Sequence, residues 1–169
     1  MIKILIVEDE KPINDLIEMN LSEAGYSCTC VYDGIAACDV LENERFDLVL
    51  LDIKQYNPER HTLLTERQNK QTLATAKRLQ DNGRPFWLRY VLVQGYSAFE
   101  EDIRALGEHF KEYDMIKRIE ILPYHTLGAH KYEPLGMEYK LKHVKENTPE
   151  QLDEAKRIFD EYFDNVFVN

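Results

Sequence analysis

Apolar positions along the chain switch between two spacings. Ile2–Val7 and Phe46–Ile53 are apolar runs of the length and kind that form strands buried on both faces. Pro85–Val93 reads as a further strand, with Phe86, Trp87, Leu88, Tyr90, Val91, Leu92 and Val93. Ser27–Val31 and Lys117–Leu122 read as shorter strands. Between the first two, Lys11–Ala24 carries Ile13, Leu16, Ile17 and Leu21 at helical spacing and stops at Gly25. The same spacing predicts helices over Asp33–Glu42, Lys70–Asp81 and Ala98–Tyr113, with a helical turn after Pro58 and Gly83 closing the helix before it. Thr148 caps a last helix, with Pro149 at its first position and Gln151 at its third, the pattern of a capping box. Asn165–Val168 reads as a final short strand. Pro123–Asn147 has no period, and a loop of that length is uncommon unless it is functional or disordered.

Alternating strands and helices predict an α/β fold, a parallel β-sheet of βα repeats with right-handed crossovers. An amphipathic helix between fully apolar strands favours helices on both faces. That is a flavodoxin-like sandwich of strand order 2-1-3-4-5, preferred here over a partial (β/α) barrel with helices on one face. The length, 169 residues, suits a single domain.

Charge changes this picture. The net charge of -10 argues against nucleic acid and anionic membranes as partners. No apolar run approaches the ~18 residues that span a bilayer, and the N-terminus turns acidic at once, so a cytoplasmic protein is expected. Residues 1–53 hold 3 basic and 12 acidic side chains, whereas 54–169 hold 18 and 19. Cys28, Cys30 and Cys38 all lie in the first part, and all five histidines in the second. The cysteine spacing fits neither a zinc ribbon nor a disulfide framework, so free thiols in a reducing compartment are expected. The charge boundary falls inside an apolar strand, where no linker can be.

Val7-Glu8-Asp9-Glu10 ends the first strand and Leu51-Asp52-Ile53 the third. In a parallel sheet these ends share the ligand-binding edge. Glu8, Asp9 and Asp52 there can hold Mg²⁺ through oxygen ligands, and a carboxylate can accept a phosphoryl group. With GYSCTCVYDGIAA and FDLVLLDI between and after them, residues 1–53 resemble the response-regulator receiver family. The resemblance implies Asp52 as phospho-acceptor and Glu8 and Asp9 as metal-binding acids. It stops at Lys54-Gln55-Tyr56-Asn57, where that family has a Met-Pro-Gly loop. Its Ser or Thr after the fourth strand and its Lys-Pro after the fifth are replaced by VLVQGYS and ILPYH. Ser97 lies past its strand end and Lys131 far down the loop, so phosphotransfer is the weakest expectation.

LLDIKQYNPERHTLLT, QTLATAKRLQDNGRPFWLRYVLVQGYS and IKRIEILPYHTLGAHKYEPLGMEYKL, in that order, resemble the C-terminal part of pyruvate formate-lyase activating enzymes, which are radical SAM activases. This resemblance covers residues 50–169. It implies a partial (β/α) barrel with Asp52, Lys54, Arg89 and His125 at strand C-termini on the S-adenosylmethionine side. The carboxylate and Lys would take the methionyl amine and carboxylate, Arg would anchor polar groups, and His would face the ribose or adenine. The family's Cys-x3-Cys-x2-Cys loop for a [4Fe–4S] cluster is absent, because Cys28, Cys30 and Cys38 are wrongly spaced.

Both resemblances meet in the phrase Leu-Asp-Ile. The sequence therefore reads as a chimera, one hybrid domain over 1–169 with a receiver-like segment 1–53 and an activase-like segment 54–169. On that reading the expected function is a scaffold without enzymatic activity, requiring no cofactor and holding no iron–sulfur cluster. Residual binding of Mg²⁺ or S-adenosylmethionine at the strand ends is the second expectation. An open sheet face or edge would allow a homodimer.

Overall fold

The computed structural model describes residues 2–7, 11–32, 34–126 and 138–169. Glu8 and Asp9, His130 and Lys131 lie outside the described residues. The chain divides into two compact units, Met1–Val49 and Leu50–Asn169. No helix among the described residues is long and apolar enough to cross a membrane.

In the first unit β1 (Lys3–Val7) pairs in parallel with β2 (Ser27–Val31), from Lys3 opposite Ser27 to Val7 opposite Val31. Helices α1 (Lys11–Glu23) and α2 (Gly34–Asn43) follow these strands. Gly25 sits at φ 88°, the left-handed conformation that ends α1 and that glycine adopts without strain. Asn14 is fully buried, and its amide donates to the Val31 carbonyl at 3.0 Å, tying α1 to β2. Lys3 pairs with Glu44, and its backbone N–H donates to Asp47 at 2.6 Å.

The second unit is built on a four-stranded sheet in chain order: β3 (Val49–Ile53), β4 (Phe86–Leu92), β5 (Ile116–Pro123) and β6 (Val166–Val168). The pairs β4–β5 and β5–β6 are parallel. Helices α3 (Pro58–Thr65) and α4 (Lys70–Asp81) connect β3 to β4, α5 (Glu100–Phe110) connects β4 to β5, and α6 (Pro149–Phe159) precedes β6. The α/β class and its parallel βα units are as the periodicity predicts. The expected single sheet of order 2-1-3-4-5 is met only in part: β2 lies beside β1 and β3, β4, β5 follow in succession, but in two separate sheets, with β6 added at the edge of the second.

Period-two burial on β4 decides how this sheet packs. Phe86, Leu88, Tyr90 and Leu92 are buried, and register places Ile119 and Ile121 of β5 beside Leu88 and Tyr90. Phe159 of α6 meets Tyr90 edge-on at 5.6 Å, so α6 covers this face. Burying side chains of this size contributes roughly 1.5–3 kcal/mol each. α5 packs on α6. A Cβ on Gly107 would lie 2.7 Å from Cγ of Tyr162, so this approach needs glycine. The capping box at Thr148 is formed: its hydroxyl accepts from Gln151 N–H, and its own N–H donates to Gln151 Oε1 at 3.0 Å.

Candidate functional site

Residues of opposite parity on the same strands face away from α6. On β4 these are Trp87, Arg89 and Val91; on β5 they are Arg118, Glu120 and Leu122, with Glu120 registered to Arg89. Asp52 is the penultimate residue of β3, and Lys54 follows the strand directly. Two-residue spacing thus puts a row of charges on one sheet face.

The charges are linked. Lys54 Nζ donates to Asp52 Oδ2 at 2.8 Å. Arg89 Nε lies 3.3 Å from Asp52 Oδ1 and 3.8 Å from Glu120 Oε2. Arg118 Nη2 reaches Glu120 Oε1 at 3.0 Å. The Arg118 guanidinium also stacks over Trp87 at 4.6 Å and Phe167 at 4.0 Å, both favourable cation–π distances. Glu120 has a side chain only 8% exposed, and burying a charge is costly unless it is paired; two arginines pair it.

The row ends in unspent polar capacity. Asp52 Oδ1 and Arg89 Nε are both buried and misaligned with each other, and neither makes a hydrogen bond. The Asp52 side chain is nonetheless 37% exposed and Lys54 41%. At that strand end a carboxylate sits beside two cations and is partly open to solvent, an arrangement that suits a small zwitterion carrying an ammonium and a carboxylate.

The structure brings Asp52, Lys54 and Arg89 together, although Arg89 lies in the middle of β4 rather than at its C-terminal end. His125 lies past the end of β5, is exposed, and has no hydrogen bond or ion pair to this row. Glu120 and Arg118 were not singled out from sequence. The signal was there, an acid and an arginine two residues apart inside the apolar strand IKRIEILP.

The loop from β3 to α3 is locked. Asn57 caps α3, its side chain accepting from Glu59 N–H and Arg60 N–H. Asn69 donates to the carbonyls of Gln55 and Tyr56 at 3.3 and 2.6 Å. Ser97 is fully buried; its hydroxyl donates to Val91 O and accepts from Val93 N–H, so it fixes the turn after β4.

These features define a parallel α/β unit with a mixed-charge site along one sheet face. No protein-family model matches the chain. Over 112 residues, 66% of the chain, it is 47% identical to a pyruvate formate-lyase-activating enzyme of Streptococcus mutans serotype c (strain ATCC 700610 / UA159), and the match covers 43% of that protein. It is 43% identical over 111 residues to the protein of the same name from Staphylococcus epidermidis (strain ATCC 12228 / FDA PCI 1200), covering 44% of it. The chain thus spans less than half the length of the curated relatives it matches. By fold it resembles a domain of a pyruvate-formate lyase-activating enzyme from Bacteroides vulgatus ATCC 8482, with TM-score 0.67 and 16% identity over 100% of this chain and 99% of that one. It also resembles a radical SAM methyltransferase from Sphaerobacter thermophilus, with TM-score 0.61 and 14% identity over 84% of this chain and 40% of that one. At such identities the structural likeness shows the fold alone.

These findings correct the expectation of a non-enzymatic hybrid scaffold that requires no cofactor and holds no iron–sulfur cluster. The relatives matched at 43–47% identity are named as activating enzymes, and a fold neighbour as a radical SAM enzyme. Residual binding and phospho-acceptance are no better supported. The expectation leaned on a missing cysteine loop. That absence bears on cluster ligation, whereas the sheet-face row is built by other strands and other chemistry. Cys28 and Cys30 sit on β2 in the first unit, and among the described residues no three His, Cys, Asp or Glu side chains group as a metal site.

Proposed function

We infer that the second unit is the S-adenosylmethionine-holding part of a glycyl-radical activating enzyme of the pyruvate formate-lyase-activating type. The observation that carries this is the Asp52–Lys54–Arg89 cluster, with its unbonded Asp52 Oδ1 and Arg89 Nε, in a chain that matches relatives of that name. When bound, S-adenosylmethionine supplies a sulfonium-activated adenosyl group. Asp52 accepts from the methionyl ammonium. Lys54 donates to the methionyl carboxylate. Arg89, held by Glu120, anchors a further polar group, and exposed His125 is available to the ribose or base.

The same reading keeps the join inside β3, with a receiver-like segment over 1–53. Its support is the shift in charge that falls there. A reducing cytoplasm accords with free thiols at Cys28 and Cys30.

Titration calorimetry with S-adenosylmethionine tests the site. The unaltered chain should give saturable heat, and Asp52→Asn should weaken binding about tenfold, the order expected for one lost charge-assisted hydrogen bond. No saturable heat with the unaltered chain, or equal affinity in Asp52→Asn, would remove the reading.

A further inference from the structure

Gln55 follows the half-buried Lys54 and is itself fully buried, an unusual place for a side chain that can make four hydrogen bonds. Three of them are made. Its Nε2 donates to Asp102 Oδ2 at 2.8 Å and to the Tyr96 carbonyl at 2.6 Å. Its Oε1 accepts from Asn57 N–H at 2.9 Å. Asp102 is buried in the first turn of α5, and Arg60 of α3 donates to the same oxygen at 2.6 Å. Arg60 is itself held by Glu101 at 3.0 Å and lies over the Phe99 ring at 3.9 Å. One side chain therefore ties the loop after β3 to the turn after β4 and to α5.

We propose that Gln55 is a positioning residue: anchored on Asp102 and Tyr96 O, it holds the β3–α3 loop so that Lys54 stays against Asp52. The consequence for ligand affinity rests on the S-adenosylmethionine reading above; the loop-holding role does not. Fully satisfied buried networks specify one arrangement, and a half-satisfied one loses it. Among the described residues the Lys54 tip is held by the Asp52 carboxylate two positions back, so its placement depends on the backbone beneath it.

The test uses the full chain and two variants. Gln55→Leu keeps size and removes all three bonds. Gln55→Glu sets a second carboxylate against Asp102. The other groups facing that point are Arg60 on α3, Glu101 on α5 and Tyr90 on β4, whose hydroxyl titration burial pushes far up. Two carboxylates sharing a site raise the affinity for one proton. Once protonated, the introduced carboxyl can donate its one proton to Asp102, restoring that bond but not the one to Tyr96 O.

Two readouts are taken at about pH 8 and about pH 6: S-adenosylmethionine affinity by calorimetry, and hydrogen exchange at the Asn57 and β4 amides. In Gln55→Leu, affinity should fall about tenfold at both pH values and Asn57 should exchange faster while β4 stays protected. In Gln55→Glu, both losses should appear at the higher pH and recover in part at the lower, relative to the unaltered chain. Unchanged Asn57 exchange in both variants overturns the proposal, as does loss of β4 protection together with Asn57, which marks mere destabilisation. If Gln55→Leu does not fold, recovery of Gln55→Glu decides. If the unaltered chain binds no S-adenosylmethionine, the ligand reading fails, while faster Asn57 exchange alone still supports the clamp.

Discussion

Among the described residues, ionisable groups at least half withdrawn from water include some given charged partners and some held neutral. Glu120 is paired by Arg118 and Arg89, and Asp102 by Arg60 and Gln55. Cys30 belongs to the second kind. Burial, and then the nearby Glu18 carboxylate, push its thiol up to about 11 from an ordinary 9.0. Because the thiolate is the nucleophile, Cys30 should react with iodoacetamide at about pH 8 roughly ten- to a hundredfold slower than a free cysteine, as read by peptide mass spectrometry. The linkage has a definite sign. Between those two pH values the unfolded chain has released the thiol proton and the folded chain has not. The unfolded state then binds fewer protons, so this thiol lowers stability as pH rises through that window and has no effect below it. Free cysteines were legible from their spacing. Which one would be unreactive was not, because that depends on α1 placing Glu18 beside β2.

At the scale of elements, local signals and structure agree best where a side chain acts on its own backbone. Thr148, Pro149 and Gln151 announce the start of α6, and the capping box is there. Thr148→Ala should cost about 1 kcal/mol, measured by urea unfolding, with the midpoint moving and the slope unchanged. Asn57 acts likewise at α3, which the sequence showed only as a turn after Pro58. Helix ends were less legible: α5 spans Glu100–Phe110 where spacing suggested Ala98–Tyr113. Ala98 is drawn off because its N–H bonds Val93 O in the locked turn. On β4 the apolar run hid an alternation. Trp87 and Val91 are apolar yet share a face with Arg89, so a string of hydrophobic residues broken only by that arginine concealed a one-sided strand.

On the whole molecule, burial is uneven between the two units, each taken by itself. All the fully buried large side chains among the described residues, from Ile53 to Phe159, belong to the second unit. In the first, Ile6, Val31 and Phe46 are buried but each keeps a little exposure. A unit of some fifty residues also buries a smaller fraction of its surface on folding. Native-state hydrogen exchange should therefore show β1 amides opening at lower free energy than β4 amides. Equal protection in the two strands would contradict this. The candidate site lies in the second unit, on the more deeply packed sheet, where a rigid strand holds Arg89 and Glu120 in register.

The order of strands and helices, the parallel α/β class and the α6 cap follow from the sequence, because period and capping are local and each residue acts within a few positions of itself. So did Asp52, Lys54 and Arg89 as candidates, through phrases they share with activating enzymes. Only the tertiary structure decided that Glu120 and Arg118 join them, that Arg89 reaches Asp52 from mid-strand, and that Gln55 is buried against Asp102. Those facts depend on register between strands and on loops meeting more than forty residues apart in sequence, and no local pattern carries that information.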